Sequence, residues 1–196
     1  MSLRRNNMED IILVGYGGHA KSVADCIEQK KEYRVIGYTD MEMHEAPYPY
    51  LGNDDVLEDY YAQGVHNAVV CIGYLGKGNI REKLYARLKK IGYNLPVIMD
   101  PSSVISESAE LEEGAFIGKC AVVNAEAKIG KMTIINSMAL VEHECVVEDF
   151  VHVAVAAVLC GQVHVGEAAF IGANATVIQG KNIEPRKIVP AGVTIR

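Results

Sequence analysis

Between residues 139 and 163 the chain reads "ALVEHECVVEDFVHVAVAAVLCGQV", and its best-placed reactive side chain is His143, set between Glu142 and Glu144. An imidazole can take up a proton near neutral pH, and a neighbouring carboxylate fixes its tautomer and stabilises the charge it gains. Gly161 follows eighteen residues later, in "LCGQV". In a repeat that returns to the same place every eighteen residues, Gly161 lies over His143 at one strand spacing, roughly 4.8 Å. A base beside an open backbone N–H is the pairing acyl transfer requires. One group removes a proton from the nucleophile and the other stabilises the oxyanion. Glycine also leaves space for a thioester. An isolated histidine on such a repeat is by default a surface residue, and the flanking acids turn the reading towards a base.

Other residues in this run are weaker candidates. Cys145 falls at an inward, small-residue position and reads as core, whereas Cys160, beside Gly161, keeps open a route through an acyl-cysteine. His152 and His164 are twelve residues apart and so fall on different faces. Three histidines on a β-helix also suit a zinc hydratase, but the H-x-x-x-x-H ligand pair is missing, and no metal is expected.

A second motif, "VGYGGHAK" at 14–21, sits between a strand and a helix, where backbone N–H groups and the helix dipole favour a phosphate. Gly15, Gly17 and Ala20 satisfy G-x-G-x-x-A, and Asp40 ends the second strand, where a ribose-binding acid would lie. The alternative is a tight turn that needs glycine. An NAD enzyme is disfavoured, because the chain has no second mononucleotide half. In "GYLGKGNIREK" (73–83), Gly73, Asn79 and Arg81 either approach a diphosphate or sugar, or begin a solvated helix.

Two kinds of element must position these residues. From 10 to 98, short apolar strands (11–15, 34–39, 67–73) alternate with helical patterns, the first burying Ala20, Val23, Ala24 and Ile27 and the last carrying Ile80, Leu84 and Leu88. A Pro-containing loop is expected at 46–52 and a short helix at 53–61. This βαβαβα order predicts a small parallel sheet. From Met99 to Ile195 an aliphatic residue recurs at every sixth position without a break, usually with a small residue four places later. Neither a helix nor an ordinary strand has period six, whereas a parallel β-helix of hexapeptide repeats does. Three hexads make a coil, so a little over five coils are expected, stacked to build a shared core. The pattern weakens at Lys181 and Lys187, which predicts an irregular or exposed last coil. The expected fold is thus a Rossmann-like α/β domain over 8–98 followed by a β-helix over 99–196.

Composition narrows the partners. The 196 residues are 49% hydrophobic and 22% charged, as in a soluble globular protein. A net charge of −6 gives no footprint for nucleic acid or an anionic membrane, though a local pocket can still take a small anion. Five cysteines, odd in number and without C-x-x-C spacing, fit free thiols in the cytoplasm. The apolar run near the N-terminus is too short for a signal peptide or membrane span. Residues 1–7 read as an unstructured leader before Met8.

The period-six repeat resembles the hexapeptide-repeat acyltransferases, whose coils are left-handed. Together, "ILVGYGGHAKSVAD" and "NSMALVEHECVVEDFVHVAVAAVLCGQVHVGEAAFIGANATVI" resemble the sugar acetyltransferases of the NeuD and PglD group over nearly the whole chain. That resemblance implies a nucleotide-binding N-terminal domain, a left-handed β-helix, a homotrimer, and acetyl-CoA between adjacent β-helices. It implies His143 as general base, Glu144 as its partner, and the Gly161 N–H at the thioester oxygen. His152, Ala173 and Ala191 would border acetyl-CoA and Asn136 the sugar. Gly15, Gly17, Gly18, His19, Asp40, Gly73 and Arg81 would hold the nucleotide sugar, with uridine diphosphate as the expected carrier. The C-terminal "QGKNIEPRKIVPAGVTIR" is shorter and more basic than the group's usual glycine-rich end. Its Lys181, Arg186 and Lys187 either meet CoA phosphates or form a solvated edge. The resulting expectation is N-acetylation of a nucleotide-linked amino sugar for glycan assembly. O-acetylation of a sialic acid or related hydroxyl is the nearest alternative. A trimeric nucleotide-sugar sensor that binds no acetyl-CoA is the alternative of another class.

Overall fold

The computed structural model describes residues 8–73, 76 and 78–196, so the leader expected at 1–7 lies outside the described residues. Strand β1 (Glu9–Val14) is buried from Ile11 to Val14 and pairs in parallel with β2 (Tyr33–Thr39) on one side and β4 (Asn67–Val70) on the other. A strand flanked on both sides and covered on both faces reads as a continuous aliphatic run. Helix α1 (Gly18–Lys30) buries the expected Ala20, Val23, Ala24 and Ile27 and stops at Lys31, which is left-handed at φ 57°.

Three features depart from the sequence reading. Part of the expected 46–52 loop is a strand, β3 (Tyr50–Gly52), which extends the parallel sheet to the order β3-β2-β1-β4. The nearby Pro47 and Pro49 hid it, and prolines are tolerated beside a short edge strand. The short helix α2 (Leu57–Ala62) starts later than expected, after a 3-10 turn capped by Asn53. In α3 (Ile80–Ile91), Ile80 is exposed and Arg81 is buried in its place beside Leu84 and Leu88.

From Ile98 onward the chain winds into a parallel β-helix of two-residue strands, arranged in sheets of five, six and six strands. Leu140 pairs with Val158, a step of eighteen residues that repeats around the prism. Every sixth residue from Gly114 to Gly192 has positive φ, including Glu144 at 58° and Gln162 at 62°. A left-handed backbone at each corner costs energy for residues other than glycine. Stacking offsets it: the period-six aliphatics and the small residues four places on form a continuous, nearly solvent-free core from Ala115 to Val189.

The outward residue of each strand gives the three faces different characters. One face carries Ile98, Phe116, Ile134, His152 and Phe170 and is covered by the N-terminal half. A second carries Val104, Val122, Leu140, Val158, Thr176 and Thr194, and a third carries Glu110, Lys128, Val146, His164 and Asn182. Two of the points that hold the covered face are buried. At Asp100, whose side chain is 2% exposed, the carboxylate accepts from Ser102 N–H (2.9 Å) and O–H (2.6 Å), Lys119 (3.0 Å) and Cys26 (3.1 Å). Burial alone would raise this carboxyl, but the hydrogen bonds outweigh it and hold it well below the usual range. At the other point, Arg81 donates to the carbonyls of Phe150 (2.9 Å) and Met132, eighteen residues apart on one corner.

Candidate functional site

His143 lies on the corner that carries the chain from the Leu140 face to the Val146 face. Its backbone N–H donates to Glu142 Oε2 (3.1 Å), which also accepts from Asn124 Nδ2 (3.0 Å) one coil below. Its ring Nδ1 is 3.0 Å from Glu144 Oε2. With Nδ1–H donating to that carboxylate, Nε2 keeps its lone pair. Nε2 faces Gly161: a Cβ built there would lie 2.5 Å from Nε2 and 2.6 Å from Cε1. The eighteen-residue stacking read from the sequence is therefore present, and glycine is required for it. The ring itself remains half-exposed.

The Gly161 N–H is open for a local reason. At three equivalent corner places the N–H is capped by the preceding side chain, Ala125 by Asn124 Oδ1, Ser137 by Asn136 Oδ1 and His143 by Glu142, whereas at Val155 and Ala173, as at Gly161, the preceding residue offers no oxygen. Cys160 precedes Gly161 and offers no oxygen, and among the described residues the Gly161 N–H has no backbone acceptor. Cys145 is fully buried, donates its thiol to the Cys160 carbonyl (3.1 Å) and has its pKa raised by burial, so it belongs to the core. Cys160 is half-buried.

A second group converges where the two halves of the chain meet. His19, at the start of α1, sets its ring edge-on to Phe116 with centroids 5.0 Å apart, and its buried Nε2 has no hydrogen-bond partner among the described residues. His152 packs edge-on against Phe170 at 5.3 Å, and its Nε2 is 3.5 Å from Asn136 Nδ2. Gly73 lies against the His152 ring and the base of the His19 side chain, since a Cβ there would be 3.9 Å from His152 Cε1 and from His19 Cβ. Burial, then the charge of Arg81, lowers the His19 pKa to about 4. Burial, Arg81 and His19 lower that of His152 to about 3. Both rings are neutral at pH 7 and suited to hydrogen bonding. The Arg81 guanidinium is pinned by solenoid carbonyls, and its Nε has no partner among the described residues. That setting differs from both expectations made for it, a diphosphate contact and a solvated helix start.

The glycine loop is built as its sequence suggested. Gly15 is left-handed at φ 91°, and a Cβ there would come within 2.8 Å of Ile72. Gly17 and Gly18 have open space where a Cβ would be, and the first turn of α1 has neither an acidic residue nor a side-chain cap. Asp40 is already engaged: Oδ2 accepts from Tyr16 N–H (2.7 Å) and Oδ1 from Met41 N–H (2.7 Å), with His44 Nε2 at 3.2 Å. It anchors the loop, a role its position in the sequence did not reveal.

Ala173 and Ala191 are exposed with Val155 in one column above half-buried Ser137, on the corner joining the covered face to the Leu140 face. Asn136 stands on that corner too. The Leu140 face therefore has the His143–Gly161 corner along one edge and the Asn136–Ala173–Ala191 corner along the other. At the C-terminal end, Arg186 is 3.1 Å from Glu82 and 4.0 Å from Glu167. Sequence reasoning named Glu142 beside His143 but missed Gln162 as a partner in this corner; the eighteen-residue step from Glu144 would have found it. Among the described residues no group of three or more His, Cys, Asp or Glu forms a metal site, and no helix is long and apolar enough to cross a membrane.

Comparison with known proteins agrees with this geometry. The profile of the PglD N-terminal domain matches residues 10–88. A variant of GDP-perosamine N-acetyltransferase from Caulobacter crescentus, solved in complex with CoA and GDP-perosamine, is 33% identical. The match covers 96% of this chain and 89% of that one, with a TM-score of 0.91. The acetyltransferase domain of PglB from Neisseria gonorrhoeae is 27% identical over 96% of this chain and 91% of that one, with a TM-score of 0.90. WeeI from Acinetobacter baumannii, 24% identical over 95% of each chain with a TM-score of 0.73, shares the fold. None of the curated proteins compared matches the chain. With a relative a third identical along almost its whole length, and with both halves of the expected fold in place, the chain belongs to the NeuD/PglD-type family of sugar acetyltransferases.

Proposed function

We propose that this protein transfers an acetyl group from acetyl-CoA to the amino group of a nucleotide-linked amino sugar, in the cytoplasm and for glycan or surface-polysaccharide assembly. The observation that carries the reading is the His143 corner, with a carboxylate at Nδ1 and a free Nε2 beside the open N–H of Gly161. Acetyl-CoA supplies an activated acyl group. His143 takes the proton of the attacking amine, Glu144 stabilises the imidazolium that results, and the Gly161 N–H faces the oxygen on which negative charge develops. The uncapped N-terminus of α1, with Gly15, Gly17 and Gly18, seats the diphosphate, while Gly73, neutral His19 and Asn136 orient the sugar. Asp40 holds the loop in shape, and Arg81 holds α3 to the β-helix beneath them. His152, Ala173 and Ala191 border acetyl-CoA. Five free cysteines support a reducing compartment.

The two sets of residues lie on opposite edges of the Leu140 face, so the reading includes assembly. We infer a homotrimer in which that face packs against a second copy and brings one chain's His143 corner to its neighbour's sugar site. The run of Val104, Val122, Leu140 and Val158, of which Val104 is 63% exposed, supports this. The relative solved with GDP-perosamine supports a nucleotide-linked amino sugar as acceptor, and the carrier base is tested with it. Thiol release from acetyl-CoA is measured with UDP- and GDP-linked 4-amino sugars and with free sialic acid. Rapid release with an amino sugar is the expected result. Release with sialic acid alone replaces the reading with O-acetylation, and acceptor binding without binding of acetyl-CoA replaces it with a sensor.

A further inference from the structure

The corner that holds His143 continues upward in a way the proposed chemistry does not use. Glu144 and Gln162 occupy the same left-handed corner position on successive coils. Gln162 Nε2 donates to Glu144 Oε2 (3.2 Å), the oxygen that faces His143 Nδ1. On the next coil, Gln179 Nε2 donates to Gln162 Oε1 (3.5 Å). An amide has one acceptor and one donor end, so a donor bound to Oε1 decides which end points down. Here it turns the Gln162 N–H toward the carboxylate. Glu144 is half-exposed on a flexible side chain, and nothing else among the described residues bonds its carboxylate.

We propose that Gln162 is a positioning residue whose amide, oriented by Gln179, fixes the Glu144 carboxylate and through it the tautomer of His143. The inference rests on the reading of His143 as the base. A base works only when Nε2 is the unprotonated nitrogen, so the proton must stay on Nδ1, where Glu144 holds it. Gln162 limits the rotamers of Glu144 and leaves Nδ1 to it, because its own N–H cannot accept the imidazole proton. A second carboxylate at this place would instead repel Glu144. The relay thus spans three coils, from the base to an amide two layers above it.

The test replaces Gln162 by methionine, which keeps the length of the side chain and removes both polar ends. The substitution is compatible with the corner, since Met132 and Met138 already occupy the equivalent left-handed position at φ 57° and 61°. Nitrogen-15 NMR of labelled histidine reads the His143 tautomer directly, and steady-state kinetics separates kcat from KM. The wild type is expected to show the Nδ1–H form, and Gln162→Met a mixture of tautomers with kcat reduced about tenfold and KM unchanged. Gln179→Met is expected to shift both readouts the same way, by less. An unaltered tautomer in Gln162→Met overturns the proposal, whether or not kcat falls, because the residue would then act by another route or not at all. The NMR comparison is independent of turnover. If His143→Ala were fully active, the assignment of the base would fail, while the tautomer would still decide whether Gln162 positions the ring.

Discussion

The histidines of this protein occupy two opposite environments. At the corner, His143 is half-exposed, has a carboxylate at one ring nitrogen and an open amide at the other, and can exchange protons with solvent and substrate. At the junction, His19 and His152 are pressed against Phe116 and Phe170 with a cation nearby, and burial and Arg81 keep them uncharged. Under the proposed function, the difference gives one side chain two duties. An anionic partner with solvent access makes imidazole a base, whereas an apolar wall with a cationic neighbour makes it a neutral hydrogen-bonding surface.

The sharpest way to break the comparison is to exchange the expected losses. His143→Ala is expected to lower kcat by roughly 100- to 10,000-fold with the fold intact. His164→Ala, on the polar face and paired with Glu148 at 2.7 Å, is expected to leave kcat unchanged. Steady-state thiol release checks both, and equal losses would remove the distinction between the corner and an ordinary surface histidine. Next in size is Gly161→Ala, whose methyl would be driven into the imidazole. Its kcat should fall roughly 100- to 1,000-fold, while a melting curve should scarcely change, because Gly161 is buried only beneath a half-exposed imidazole that can swing aside into solvent.

The junction predicts an effect on stability instead. The folded-state pKa of His152, about 3, lies below the ordinary 6.5, so the unfolded chain binds the proton more readily. Above about pH 6.5 this histidine makes no pH-dependent contribution. Below that, stability is lost as pH falls, down to the folded-state value. Denaturation at pH 7 and pH 5 should therefore show a smaller pH-dependent loss in His152→Gln than in wild type, by about 2 kcal/mol. An identical loss in the two proteins would show that the ring is not held neutral.

Much of this was legible in the sequence because stacking turns distance along the chain into distance in space. The period of six alone places His143 under Gly161, puts Cys145 in the core and separates His152 from His164. The junction was less legible. A repeat defines columns, but does not state which column another domain covers. A signal was present at period eighteen, in the bulky outward series Ile98, Phe116, Ile134 and Phe170, against the charged Glu110 and Lys128 of another face. Arg81 was less legible: its place in the sequence left a diphosphate or sugar contact and a solvated helix start open, whereas burial and two carbonyls of one solenoid corner define its setting. Asp40 was half-read: its place at the end of β2 was right, but its bond to Tyr16 N–H depends on how the loop folds back.

The central claim is that acetyl transfer takes place where the corner of one copy meets the junction of another. The most direct measurement is thiol release by mixed assemblies purified after co-expression of differently tagged His143→Ala and Asn136→Ala/His152→Ala chains. Each variant alone is expected to be nearly inactive, and the mixed assemblies are expected to regain activity, because one interface then combines an intact corner with an intact junction. Mixed assemblies no more active than their parents would contradict the claim.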